Sequence, residues 1–298
     1  MTRTYRFVQV DVFTDRPFGG NQLAVFPQAT GIGDDEMLLL AQELNYSETT
    51  FVLPGSSPQS PRVRIFTPGG ELPFAGHPTL GTAWVLLREG VWHDPQEVVL
   101  EEGIGPVRVR FEAPLLWMQH RLPEWGPVFD DRAAIARMLR LSEDDLLPDV
   151  PVQIASTGGP FLYVPLRTLD VVRRVQFDTT QTSTVFGDTQ PVSVMVFTLE
   201  TEQPGHTVHS RMFAPHTFAI PEDAATGSAA GPLGAYLVRY NLVPRAQTVT
   251  IINEQGFEMG RPSLLSITLS MNGDQIEDIW VGGQVVLTAE GTFYVPEA

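Results

Sequence analysis

The chain has no cysteine. That excludes disulfides, thiolate metal sites, a thiol nucleophile and the paired-thiol acid–base chemistry of some racemases. Any acid–base work falls to oxygen and nitrogen groups. Positive charge is also scarce. With 19 Lys+Arg against 35 Asp+Glu, the formal net charge is −16, which argues against nonspecific binding to nucleic acid or an anionic membrane. An anionic substrate stays open, because local dipoles outweigh a distant net charge. No apolar run approaches the roughly 20 residues that span a bilayer. Met1-Thr2-Arg3-Thr4-Tyr5 leads into a strand pattern with no signal-like segment, so the expected location is the cytoplasm. There is no G-x-G-x-x-G opening a helix and no Walker loop, and Gly19-Gly20 reads as a turn. His206, His209 and His216 lack a metal-ligand spacing on a helix face. Neither a metal nor a cofactor is expected.

What is present is a globular composition, 43% apolar and 18% charged over 298 residues, long enough for two domains sharing a cleft. Short alternating runs dominate: Tyr5–Phe13, Leu23–Phe26, Thr49–Leu53, Arg62–Thr67, Val192–Leu199 and His209–Phe213 read as strands. Met37, Leu40, Ala41 and Leu44 follow helical spacing behind a cap at Asp34 or Asp35. Pro78, taken as the first helical position, and Leu80, Ala83, Trp84 and Leu87 mark a second helix. Ala230, Leu233, Gly234 and Leu237 mark another. Pro123–Pro127 resembles a linker, with a helix near Ala133–Leu139 opening a second domain. Without regular βαβ alternation, the fold class is α+β. The expected division is 1–120, joined by a C-terminal strand at about 284–298, and 121–283.

One internal echo stands out. Arg64-Ile65-Phe66-Thr67-Pro68 resembles Arg211-Met212-Phe213-Ala214-Pro215 at an offset of 147 (211 − 64), which also sets Thr79 on Thr226. A loop and a helix start follow in both halves, which suggests two similar half-structures aiming two helix N-termini into one cleft. Helix N-termini hold carboxylates and stabilise charge as a proton leaves carbon. A base must then lie within reach of that proton. Glu48, Glu71, His77, Glu222 and Asp223 are the candidates near the two loops, with Ser228 as a neutral partner. The residues alone leave structural alternatives open. His77 before Pro78 suits a helix cap equally well, Asp223 and Ser228 are good caps and turn formers, and any Glu can serve an ordinary ion pair.

Several stretches together carry a resemblance: Val10-Asp11-Val12-Phe13-Thr14 with Gly19-Gly20-Asn21, Asn45-Tyr46-Ser47-Glu48-Thr49, Phe74-Ala75-Gly76-His77-Pro78-Thr79-Leu80-Gly81-Thr82-Ala83, and Pro221-Glu222-Asp223-Ala224-Ala225-Thr226-Gly227-Ser228-Ala229-Ala230. Glu254-Gln255-Gly256, Met259-Gly260-Arg261-Pro262 and Val281-Gly282-Gly283 follow in order. The chain resembles the phenazine-biosynthesis PhzF-like family, within the diaminopimelate epimerase-like superfamily. The resemblance implies two pseudo-symmetric domains, each a β-barrel-like sheet around a central helix, an active site in the cleft between them, and a homodimer. It implies a cofactor-independent isomerase acting on a small anionic or zwitterionic amino or hydroxy acid. Glu48, His77 and Asp223 take the catalytic positions, and Gly76, Gly227, Ser228 and Asn21 the substrate-binding ones. Thiol-using relatives carry cysteines at the positions of Gly76 and Asp223, and Ala225 stands where the family commonly has proline. An amino-acid epimerase or racemase, and a non-catalytic binding protein of the same fold, are the alternatives.

Overall fold

The computed structural model describes residues 2–187, 190–216 and 220–296. It is an α+β chain in two compact units, Met1–Gln119 with Gly282–Ala298, and His120–Val281. Among the described residues no helix is long and apolar enough to cross a membrane.

In the first unit, strand Thr2–Val12 pairs antiparallel with Asn21–Phe26 on one side and with Val285–Pro296 on the other. The C-terminal strand thus closes the sheet that the N-terminal strand begins. Asn21–Phe26 runs parallel to Glu48–Ser57, in a register that sets Leu23 opposite Glu48. Antiparallel neighbours follow at Ser60–Thr67 and Gly70–Leu72, and the meander Glu97–Glu102, Gly105–Glu112 and Leu115–His120 completes the set.

The helix Gly76–Arg88 runs through this unit with ten of its thirteen residues buried. Small residues allow the close approach: a Cβ on Gly81 would lie 2.5 Å from Leu23 Cδ2 and 2.9 Å from Val12 Cγ2. Outside the sheet, Asp34–Leu44 buries Met37, Leu40 and Ala41 against Phe26, Phe51 and Phe66. The Phe26 and Phe51 rings stack at 4.9 Å. Each such aromatic contributes roughly 1.5–3 kcal/mol by burial. The cap of that helix is Gly33, not Asp34 or Asp35; Glu36 reaches back to accept from the Gly33 N–H at 2.9 Å. Asn45, at φ 52°, ends it.

The second unit repeats the plan. Val152–Ser156 pairs antiparallel with Pro160–Pro165, which runs parallel to Ser193–Thr198, followed by Val208–Ala214. Thr248–Gln255 lies parallel to Val208–Ala214 and antiparallel to Ser263–Asn272. The helix Gly227–Arg239 is again thirteen residues with eleven buried. Pro123–Pro127 is not a linker. Glu124–Phe129 is a strand paired antiparallel with Val152–Ser156.

The echo is carried by more than sequence. Arg64 forks onto Glu71 at 2.7 and 2.6 Å and lies over the Phe66 ring, and Arg211 forks onto Glu222 at 2.8 Å twice and lies over Phe213. The offset of 147 holds along the strands but grows to 151 at the carboxylates (222 − 71). The helices also start 151 apart (227 − 76). Thr226 therefore corresponds to Ala75 and Ser228 to His77, and the pairing of Thr79 with Thr226 is corrected. The four extra residues of the second unit fall between Ala214 and Glu222, where the short returning strand begins at Ile220 rather than directly after a two-residue turn.

Candidate active site

In the first unit the site is built where a strand and a helix begin side by side. Glu48 opens strand Glu48–Ser57 and is 6% exposed. His77, 2% exposed, is the second residue of the helix Gly76–Arg88. Ala75 occupies the N-cap and Pro78 the third helical position, so His77 is not a cap and Pro78 not the first residue. The helical backbone turns the imidazole toward Glu48, and His77 Nε2 lies 3.4 Å from Glu48 Oε2. That is a close approach, slightly longer than a formed hydrogen bond of this kind. On the other side of the ring, Asn21 Nδ2 is 3.2 Å from His77 Nδ1, and Asn21 Oδ1 accepts from Ser47 Oγ at 2.9 Å.

This order has a consequence for the ring. With Asn21 Oδ1 engaged by Ser47, the amide N–H faces Nδ1, and the Gln22 backbone bonds the same ring. Burial pushes the His77 pKa down to about 3, against a weaker upward pull from the Gln22 backbone. The imidazole is therefore neutral at pH 7. It stands beside Glu48 without placing a positive charge there.

In the second unit, Asp223 ends strand Ile220–Asp223 and is buried, while Gly227 and the half-buried Ser228 are the first two residues of Gly227–Arg239. Thr226 donates its hydroxyl to Asp223 Oδ2 at 2.6 Å. Gln255 binds the loop from behind: its Nε2 donates to Asp223 O at 2.9 Å and to Thr226 Oγ1 at 3.0 Å, and its Oε1 accepts from Thr226 N at 3.1 Å. Gly256, at φ 77°, lets the chain pass where a Cβ would lie 2.5 Å from Ala224 O. Pro232 inside the helix has no N–H to give the Ser228 carbonyl, so the usual helical bond is missing at that position.

Comparison with known proteins decides the family. The model of the family described as "Phenazine biosynthesis-like protein" matches residues 10–291. The trans-2,3-dihydro-3-hydroxyanthranilate isomerase of Pseudomonas aeruginosa is 33% identical over 296 residues, covering 98% of this chain and 100% of that one. The chain belongs to the phenazine biosynthesis-like, or PhzF, family. It is an isomerase. A PhzF-family crystal structure from Bacillus anthracis, 26% identical, aligns over 99% of this chain and 100% of that one with a TM-score of 0.91. A hydroxyproline epimerase from Agrobacterium vitis aligns with a TM-score of 0.62 at 12% identity, a likeness of fold alone.

Within this PhzF-family chain the structure joins Glu48, His77 and Asn21 through direct contacts, with Gly76 at the helix mouth beside them. It joins Asp223 to Gly227 and Ser228 through the Thr226–Gln255 bonds. Glu71 and Glu222 instead serve the two arginine forks. Ser47 and Gln255 lie inside the matching motifs, yet nothing in spacing assigns them their partners. His120 has no such signal. It is buried, bonded through Nδ1 to Thr157 Oγ1 at 2.7 Å, and its ring lies against Gly231, where a Cβ would sit 2.4 Å from Nδ1. Burial pushes its pKa down to about 3.

Proposed function

We propose that this isomerase moves a proton from one carbon to another of a small amino or hydroxy acid, with Glu48 as the base. The observation that carries the reading is the buried Glu48 carboxylate held at 3.4 Å from the Nε2 of a neutral His77. The Glu48 carboxylate takes a proton from carbon, and the released electron pair spreads into the adjoining unsaturated acid. The same carboxyl then returns the proton to a different carbon. Atoms and electrons balance without any redox partner, since nothing but a proton and a double bond has moved. The His77 imidazole steadies Glu48 or a substrate oxygen during the transfer. The helix-mouth backbone at Gly76 receives the substrate's anionic group, and Asp223 and Ser228 serve its polar substituents. The Pseudomonas aeruginosa relative is named for a cyclic hydroxy-amino acid, and we propose a substrate of that chemical class.

The test is Glu48→Gln, assayed in D2O against cyclic amino and hydroxy acids for enzyme-dependent deuterium at carbon. A positioned general base contributes about 10²–10⁴-fold, so exchange should fall by at least that lower figure. A variant that keeps the wild-type rate refutes the proposal.

A further inference from the structure

Beneath the first turn of the helix Gly76–Arg88 lies a carboxyl group that the proposed proton transfer does not use. Glu102 ends strand Glu97–Glu102 and is 8% exposed. Its Oε1 is 2.7 Å from Oγ1 of Thr79, a fully buried residue of that helix. The same Thr79 oxygen is 2.8 Å from the backbone oxygen of Ala75. A hydroxyl has one proton to donate and two lone pairs to accept with. The Ala75 oxygen has no proton, so Thr79 must be the donor there. The second short contact is then a hydrogen bond only if Glu102 supplies the proton. An ionised Glu102 would leave two acceptors competing for one hydrogen.

Two further observations agree. Glu102 Oε2 is buried with no hydrogen-bond partner among the described residues, a modest cost for the carbonyl oxygen of a neutral acid and a heavy one for half of a carboxylate. Among the described residues, the surrounding elements bring no charge onto it. Across the ladder Glu102 faces Gly105. Strand Ser60–Thr67 meets this strand with the exposed Arg62 opposite Glu101, which bonds Ser56. The helix offers Thr79, while its His77 ring is turned to Asn21 and Glu48. Burial pushes the Glu102 pKa up to about 8, outweighing the downward pull that a hydroxyl donated by Thr79 exerts on a carboxylate.

The first turn is otherwise weakly held: the Ala75 N-cap offers no side-chain hydrogen bond, and the backbone bond from Thr79 N to Ala75 O is long at 3.3 Å. The turn after Glu102 grips the same entry segment: Ile104 N donates to Pro73 O at 2.8 Å, and a Cβ on Gly103 would meet Pro73 Cα at 2.8 Å. We propose that Glu102 is a positioning residue, held as a neutral acid at pH 7, whose proton goes to Thr79 so that Thr79 closes the first helical turn onto Ala75 and fixes His77. The positioning role rests on reading His77 and Glu48 as the reacting pair.

The experiment uses the full chain, with glutamate carbonyls isotope-labelled for infrared spectroscopy and histidines labelled for NMR. The expected result is an acid C=O band at pH 7 that is absent in Glu102→Gln and disappears near pH 8. The His77 ring signals should shift with the same midpoint in the wild type and not in the variant. Glu102→Gln, whose amide can donate to Thr79, should keep its turnover at pH 7 with KM unchanged. It should also lose the wild type's alkaline fall in kcat, about tenfold between pH 7 and 9. Absence of the acid band at pH 7, or a His77 titration near pH 8 that persists in Glu102→Gln, overturns the inference. Should Glu102→Gln not fold, the wild-type band and His77 titrations decide alone. Both spectroscopic readouts need no substrate, so failure of the Glu48 proposal in the D2O assay is distinguishable from failure here.

Discussion

Replacing Gly81 by alanine sets helix propensity against packing, and the structure says which wins. An alanine in a helix interior is favoured over glycine by about 1 kcal/mol. At Gly81, however, the new Cβ would lie 2.5 Å from Leu23 Cδ2, 2.9 Å from Val12 Cγ2 and 3.3 Å from Val10 Cγ2. All three neighbours are fully buried on two paired strands, so none can swing into solvent. Carbon atoms rest at about 3.5–4.0 Å, so the helix or the strands must part by about 1 Å. Overpacking of this kind costs about 1–3 kcal/mol, which leaves a net loss of up to about 2 kcal/mol after the propensity gain. The functional loss should be larger. The helix carries His77, and a 1 Å retreat from Glu48 costs on the order of 100-fold in rate. Urea unfolding measures the first effect and solvent-deuterium exchange into substrate the second. Gly234→Ala, whose nearest contacts are the fully buried Ile267 Cγ2 at 2.8 Å and Leu269 Cδ1 at 3.2 Å, is the milder clash and should cost less stability than Gly81→Ala. A Gly81→Ala protein at least as stable as wild type and fully active would show that the strand–helix spacing does not hold the site, and the reasoning would fail.

Two other outcomes follow from the polar networks. Asn21→Asp removes the amide donor that faces His77 Nδ1 and puts a charged acceptor there, so the ring should turn from its place beside Glu48; histidine ¹⁵N shifts read the changed bonding of the ring, and kcat should fall about 10²-fold with KM nearly constant, whereas a rise in KM alone would mean that Asn21 serves substrate binding instead. In the second unit, His209 is fully buried between Glu254 at 2.9 Å and Glu258 at 2.9 Å. Burial by itself would lower the His209 pKa and raise those of the two glutamates, but the hydrogen bonds outweigh it and reverse all three directions. The His209 contribution is full below its ordinary 6.5 and lost as pH rises through its raised value, while the Glu254 and Glu258 contributions are full above 4.5 and lost as pH falls through their lowered values. Stability from this cluster should therefore plateau between pH 4.5 and 6.5. Glu254→Gln should cost about 3–5 kcal/mol and flatten both limbs in denaturant titrations; a variant with the wild-type pH profile would count against the network.

Local patterns in the sequence were informative where the signal is periodic or chemically restricted. The amphipathic spacing of Met37, Leu40 and Ala41 marks a real helix, because burial on one face imposes that period. Total absence of cysteine removes a whole class of acid–base chemistry on composition alone. Positions that depend on a partner far along the chain read poorly. Pro123–Pro127 looks like a linker by composition and is a strand, because pairing with Val152–Ser156 overrides local preference. The echo at 147 is right along the strands and wrong at the helices, since a four-residue change in the returning strand has no periodic signature.

By itself, the sequence determined the α+β class, the motif stretches shared with the family, and the identity of Glu48, His77 and Asp223 as the groups to watch. Only the tertiary structure decided that His77 is a neutral imidazole and not a cap, that Glu71 and Glu222 belong to arginine forks, and that Asn21 bonds a ring 56 positions away. It also placed Glu102 under a threonine whose single proton cannot serve two acceptors. Protonation and hydrogen-bond direction depend on burial and on neighbours brought together by folding, and no spacing along the chain encodes them.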